Sequence, residues 1–195
     1  MGVSKRMWAV DVEGSGKSPP EIVELAIAEM DNFKLTGRRM HWRFKPKNGI
    51  SPIAARIHGI WDDDVVDAPE LEDAADDILM WLEDRPIIGH NVKVEVDLLT
   101  EALSGWVPIA AYDTLRVARR LLPNEEKHGL EHLGSKLGLT ASASKIAGGK
   151  AHSAPFDAVL SALLLEHMLR KRSEGDRREI LLDADILGGA QGKLL

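Results

Sequence analysis

Asp11 and Glu13 sit two residues apart inside Met7-Trp8-Ala9-Val10-Asp11-Val12-Glu13, a largely apolar run that ends in Gly14-Ser15-Gly16. The run reads as a buried strand, and the small residues after it close that strand. Residues i and i+2 of a strand share a face, so both carboxylates leave the same side, about 7 Å apart. They stand at the strand's carboxyl end, where open α/β sheets place their ligands. Two carboxylates on an apolar strand repel each other and lose hydration, which is costly unless a positive charge lies between them. A hard divalent cation such as Mg²⁺, which takes oxygen ligands, is the natural partner. A turn cap beside an exposed acid is the plainer account of Asp-x-Glu alone, so the rest of the chain has to decide.

A second strand is expected over 22–30 and a third over 38–44, joined by tight turns as an antiparallel meander beside the first. A short helix over 53–60 follows, and Asp62-Asp63-Asp64 opens a helical turn with the acidic start that the helix dipole favours. Leu71, Ala74, Ala75, Ile78, Leu79 and Leu82 recur at helical spacing around 69–81. Pro86-Ile87-Ile88-Gly89 is a short buried strand, and Asn91 is expected to cap a helix over 92–103. The inward stripe of that helix is Val92, Val96, Leu99 and Leu103, and Glu95 falls within it. Asp97 lies about 200° around from Glu95, in line with Lys93 and Glu101 on the outer side. An ionised Glu turned inward needs a partner, and a cation shared with Asp11 and Glu13 would serve.

Beyond it, the pattern gives a strand over 107–112, a helix over 114–122 capped by Asp113, and a helix over 130–137 closed by Gly138. The small and polar residues of 140–151 read as a mobile loop ending at His152. Pro155 suits the first turn of a long helix over 156–172, and Asp157 lies in that turn. One more amphipathic helix is expected over 177–187, ahead of a Gly-rich end.

A chain of 195 residues suits an α/β domain, here residues 1–172, with a C-terminal helix and tail over 173–195. No apolar run reaches about eighteen residues, and the first six lead into a strand, so a soluble cytoplasmic protein without a membrane partner is expected. Cysteine is absent, which excludes disulfides, thiolate ligands and a cysteine nucleophile. The formal charge of −6 argues against a wide basic groove for duplex nucleic acid and leaves room for a short grip on a strand end.

Asp11, Glu13, Glu95 and Asp157, with His152 on a loop, form the set that two-metal phosphodiester hydrolysis uses. An imidazole can take up the attacking water's proton near neutral pH, and a loop can bring it in when substrate binds. Three motifs stand in order: Val10-Asp11-Val12-Glu13-Gly14, His90-Asn91-Val92-Lys93-Val94-Glu95, and His152-Ser153-Ala154-Pro155-Phe156-Asp157. Ile57-His58-Gly59-Ile60 adds a weaker phrase. In these motifs the chain resembles the DEDDh 3′–5′ exonucleases of the RNase H-like superfamily, the group of proofreading epsilon subunits and exonuclease X. The resemblance covers roughly residues 6 to 172.

It implies an α/β, RNase H-like fold: a five-stranded mixed sheet flanked by helices on both faces. It also implies 3′→5′ release of nucleoside 5′-monophosphates. Two Mg²⁺ or Mn²⁺ ions would sit on Asp11, Glu13, Glu95 and Asp157, with His152 as general base. The resemblance places Gly14, His58, Trp61 and Asn91 at the substrate. This chain departs from the family in having Glu95 where Asp is usual, Val94 for Phe, and Trp61 for a small hydroxyl residue. Single-stranded DNA 3′ ends are the leading substrate. A 3′ exoribonuclease or short-oligonucleotide hydrolase is the alternative among enzymes, because carboxylates on metals do not read the 2′ position. A weakened module that binds 3′ ends without cutting is the alternative outside enzymes, suggested by Glu95. The ending Gln191-Gly192-Lys193-Leu194-Leu195 resembles the peptides that dock on bacterial sliding clamps, and a frayed end folding back is its plainer account.

Overall fold

The computed structural model describes residues 6–82 and 85–188. Three long strands form the meander: β1 (Arg6–Gly14), β2 (Ile22–Asp31) and β3 (Lys34–Arg43). Asn32 and Phe33 make the two-residue β2–β3 turn with φ of 49° and 63°, the left-handed pair that matches strand twist in tight hairpins. Two short strands, β4 (Ile87–Gly89) and β5 (Ala111–Asp113), extend the sheet on the other side of β1, giving the order β3-β2-β1-β4-β5. β1 runs antiparallel to β2 and parallel to β4, and β4 runs parallel to β5. The carboxyl ends of β1, β4 and β5 therefore share one edge, and Glu13, His90 and Asp113 stand along it.

Alternation splits β1 between two cores. Met7 and Ala9 face a layer built on α7 (Ala154–Leu169), joined by α4 (Thr114–Leu121), α5 (Leu130–Lys136), α6 (Thr140–Ala147) and α8 (Glu174–Ala184). Trp8, Val10 and Val12 face α2 (Ala75–Leu82) and α3 (Lys93–Ala102) on the opposite side. Each fully buried Leu, Ile or Phe in these layers contributes roughly 1.5–3 kcal/mol. A short helix α1 (Pro52–His58), capped by the Ser51 side chain, lies against the turn that follows β1. Ser51 N–H donates to the Ser15 carbonyl at 2.8 Å and fixes that contact.

Several elements differ from their sequence pattern. Residues 140–147 form α6, not a loop: Ala143 is fully buried and Ile146 and Ala147 pack on the α7 layer. Alanine's high helix propensity outweighs the lack of bulky residues there. Only 148–153 remains as a loop, entered through Gly148 at φ 75°. Residues 107–110 are not strand, since Pro108 cannot donate to a ladder and Val107 and Ile109 point to solvent. The segment 69–81 splits into a 3₁₀ turn (Leu71–Ala74) and α2. Asn91 does not cap α3. Its backbone is left-handed (φ 71°), its N–H donates to Asp113 Oδ1 at 2.9 Å, and the helix begins two residues later. Asp113 itself caps α4 through the Leu115 N–H, as its position indicates. The last helix runs over 174–184, and Asp185 then pairs with Tyr112 at the sheet edge. The clamp-like ending lies outside the described residues. No helix among the described residues is long and apolar enough to cross a membrane.

Candidate active site

Asp11 and Glu13 follow Met7 and Ala9 on the α7 side of β1. Asp157, in the first turn of α7, comes down onto the same face. One carboxylate oxygen from each of Asp11, Glu13 and Asp157 lies within 4.8 Å of the other two, at the edge where an α/β sheet presents its loops. The three are partly buried. Three acidic groups this close, with oxygen donors converging, match the donor set of a Mg²⁺ or Mn²⁺ site.

Glu95 reaches the site from the other layer. It stands on α3, whose Val96 and Leu99 are buried against the Trp8 face of the sheet, so its side chain approaches around the sheet's end. It is 4% exposed, and its Oε2 is buried with no hydrogen-bond partner. It falls outside the tight group of three, yet among neighbouring charges it acts most strongly on Asp11. Three of the four expected carboxylates thus converge from the α7 face, and Glu95, carried by α3, adds its charge beside Asp11. Asp97 is exposed and pairs with Lys93 at 2.6 Å, on the outer side of α3 as the wheel indicates.

The electrostatics report an unanswered charge. Burial first, then Glu95, Asp157 and Glu13, push the Asp11 carboxyl well above its ordinary range. Burial and the Asp157 and Glu24 charges raise Glu13 to about 7. Burial, opposed by a bond from its own backbone N–H and reinforced by Asp113 and Glu13, raises Glu95 to about 8. Burial also raises Asp157 to about 6, held back by the His152 N–H that donates to its Oδ2 at 3.0 Å. Carboxyls that each favour the neutral form share a place that a cation would relieve.

His152 occupies the left-handed region (φ 59°), uncommon for a residue with a side chain, and its imidazole is exposed. The Asp157 carboxylate holds its backbone, so the ring alone is free to move. His58 is buried at 6% exposure. Its Nδ1 accepts from the Ile60 N–H at 3.0 Å, which puts the hydrogen on Nε2. That Nε2 lies against the Gly14 carbonyl too loosely for a full hydrogen bond. Gly14 sits where the β1–β2 register shifts, next to Glu13. Trp61 is 48% exposed, and its N–H donates to Asp64 Oδ2 at 2.8 Å. Ile53 and Ile57, one turn apart on α1, are also exposed, so α1 and Trp61 present an apolar ridge next to the turn after Glu13.

Two residues beside the site do more than the sequence assigns them. Asp113 anchors the Asn91 backbone as well as capping α4. Glu24 faces Glu13 across the β1–β2 ladder and is 1% exposed. A lone acid inside the apolar run Ile22-Val23-Glu24-Leu25-Ala26-Ile27 was the available signal.

An exonuclease family model (RNase_T) matches residues 8–165. The chain is 29% identical over 201 residues to DNA polymerase III subunit epsilon of Buchnera aphidicola subsp. Schizaphis graminum, covering 95% of this chain and 82% of that one. It is 32% identical over 170 residues to the subunit of the same name from Rickettsia felis, covering 82% and 72%. Among solved structures, exonuclease X in complex with 5′-overhanging duplex DNA superposes with a TM-score of 0.69 at 24% identity, over 90% of this chain and 98% of that one. The nuclease domain of 3′hExo, a DEDDh family member bound to rAMP, gives 0.70 at 14% identity, over 88% and 94%.

Proposed function

The chain belongs to the exonuclease family, as a metal-dependent 3′–5′ hydrolase of the DEDDh kind, and from that premise we propose that it trims single-stranded DNA from the 3′ end. The convergence of Asp11, Glu13 and Asp157 oxygens within 4.8 Å, beside the unpartnered Glu95 Oε2, carries this reading. In it, those four carboxylates hold two Mg²⁺ or Mn²⁺ ions. Bound there, the ions supply Lewis acidity and offset the charge gathering on the phosphate and the leaving 3′ oxygen.

His152 is the general base. Its exposed ring swings toward the carboxylates, takes the proton of the attacking water, and returns it to solvent. The Asp157 grip on its backbone keeps that swing short. Ile53, Ile57 and Trp61 offer apolar surface on which unpaired bases stack, a contact that needs no basic groove and suits a chain of charge −6. Gly14 and His58 border the terminal nucleotide, and Asn91 flanks it from the β4 side.

The relatives named DNA polymerase III subunit epsilon support a proofreading or repair role in the cytoplasm. The tail Gln191 to Leu195 would join that machinery through a sliding clamp. Incubation of 5′-labelled DNA and RNA oligomers with Mg²⁺ or Mn²⁺ tests the substrate. A DNA ladder shortening from the 3′ end is expected, and a ladder on RNA alone would replace this reading with an exoribonuclease.

A further inference from the structure

The two oxygens of Glu24 serve different parts of the molecule. Oε1 accepts from His41 Nε2 and Arg43 Nε, each at 2.9 Å, both on the edge strand β3. Oε2 accepts from the Ala154 backbone N–H at 2.9 Å, in the first turn of α7. Ala154 stands between His152 and Asp157 in sequence, and with Ala158 it packs on Ala26, two residues along β2 from Glu24. Burial alone would raise this carboxyl, yet the bonds from His41, the Ala154 amide and Arg43 hold it at about 2.

The β1–β2–β3 ladder is a backbone matter and needs no acid at this position. Removing one partner of a buried ion pair is costly when the other is left buried, but the partners Glu24 would leave, His41 and Arg43, are 43% and 45% exposed and keep water around their charges. What an apolar group could not do is accept from the Ala154 N–H. Ala154 begins α7 with no side-chain cap from Ser153, so the Glu24 oxygen is the side-chain acceptor for an amide of that first turn.

We propose that Glu24 is a positioning residue for hydrolysis: it pins the first turn of α7 to β2 and so sets where Asp157 and the His152 backbone stand relative to Asp11 and Glu13. This rests on the proposed roles of Asp157 and His152. The pin joins a strand carrying two of the carboxylates' neighbours to the helix carrying the third carboxylate. Small shifts of α7 along the sheet, which Ala26 and Ala158 are too small to block, are what it prevents.

The test uses the full chain with Glu24→Met, chosen to conserve volume, and Glu24→Gln, whose amide oxygen still accepts from the Ala154 N–H. Turnover in saturating Mn²⁺ is measured with KM for an oligothymidylate and with the Mn²⁺ concentration giving half the maximal rate. All are taken at a temperature where circular dichroism shows each variant folded. Glu24→Met is expected to lower kcat by about 10²-fold, as when a reacting group is displaced by about 1 Å. KM should change little, the Mn²⁺ requirement should rise, and Glu24→Gln should regain most of the rate. Wild-type kcat in Glu24→Met, or equal losses in both variants, overturns the proposal. If Glu24→Met does not fold, Glu24→Leu takes its place, and failure of both would make Glu24 a requirement of the fold instead. Wild-type rates in Asp157→Ala and His152→Ala would remove the underlying reading, whatever Glu24 does.

Discussion

Glu95 and Asp97 are separated by one residue and by nearly the full width of a helix, and their contrast gives the sharpest test at the scale of single side chains. Glu95 is buried with an orphan oxygen, while Asp97 is exposed beside Lys93. Glu95→Ala should lose most turnover, and Asp97→Ala should stay within about twofold of wild type, as for surface substitutions generally. Glu95→Asp, which shortens the arm by one methylene, should retain turnover in Mg²⁺. Steady-state rates at saturating cation decide all three, and a dead Asp97→Ala with an active Glu95→Ala would reverse the assignment. His152→Ala should slow hydrolysis by about 10²–10⁴-fold, the usual worth of a general base. Its affinity for Mn²⁺ by calorimetry should survive, since the oxygens that converge are those of Asp11, Glu13 and Asp157 and not the His152 ring. Strand and helix spacing brought out Asp11, Glu13 and Glu95, while a loop end, a helix start and the motif order of the resemblance added His152 and Asp157. Spacing could not tell that Glu95 stands outside the tight group, because that depends on which sheet face α3 covers.

Elements were legible in proportion to how much their own residues decide them. The buried β1 and β2, and the long α7, announce themselves by apolar run and period. The helix α6 does not, since its residues are small and its partner surface is supplied by α7 and α5. Asn91 misleads for a related reason: its side chain suits a cap, but Asp113, 22 residues away, takes its backbone and turns it left-handed. The seat of α1 yields a prediction at this scale. Gly16 has φ 65°, and a Cβ there would meet the Ser51 Oγ closely and Ala54 Cβ at 2.8 Å. Gly16→Ala should therefore push α1 off the turn after Glu13, at a cost of about 1–3 kcal/mol. For a chain of this size that is a fall in Tm of roughly 2–12 °C. KM for oligonucleotide should rise as well, and an unchanged melt would show that α1 is not seated by this contact.

For the molecule as a whole, the carboxylates make stability depend on pH and cation. Asp157, Glu13 and Glu95 rise to about 6, 7 and 8 on folding, from ordinary carboxyl values of 3.8, 4.5 and 4.5. A carboxyl raised in the fold contributes stability that is full below its unfolded value and lost as pH climbs through the folded one. In EDTA the protein should therefore melt lower at pH 8 than at pH 5. Glu24 runs the opposite way and matters only in acid, as pH falls from 4.5 toward 2. Mg²⁺ or Mn²⁺ at a hundredfold its dissociation constant should restore about 2.7 kcal/mol at pH 8, roughly 5–10 °C in Tm. The gain should be smaller at pH 5, where protons compete for the same oxygens. Melts that are flat from pH 5 to pH 8 in EDTA would contradict this. The two-layer origin of the site has a further consequence, in the way heat stops the enzyme. With Glu95 carried by one layer and Asp157 by the other, activity gauges how well the layers stay in step across the sheet. Warming that lets α3 and α7 slip by a fraction of an ångström would idle the nuclease while every strand remains paired. Its working ceiling should then lie below its melting point, a loss reversed on cooling, as rates and melts recorded over the same temperatures would show.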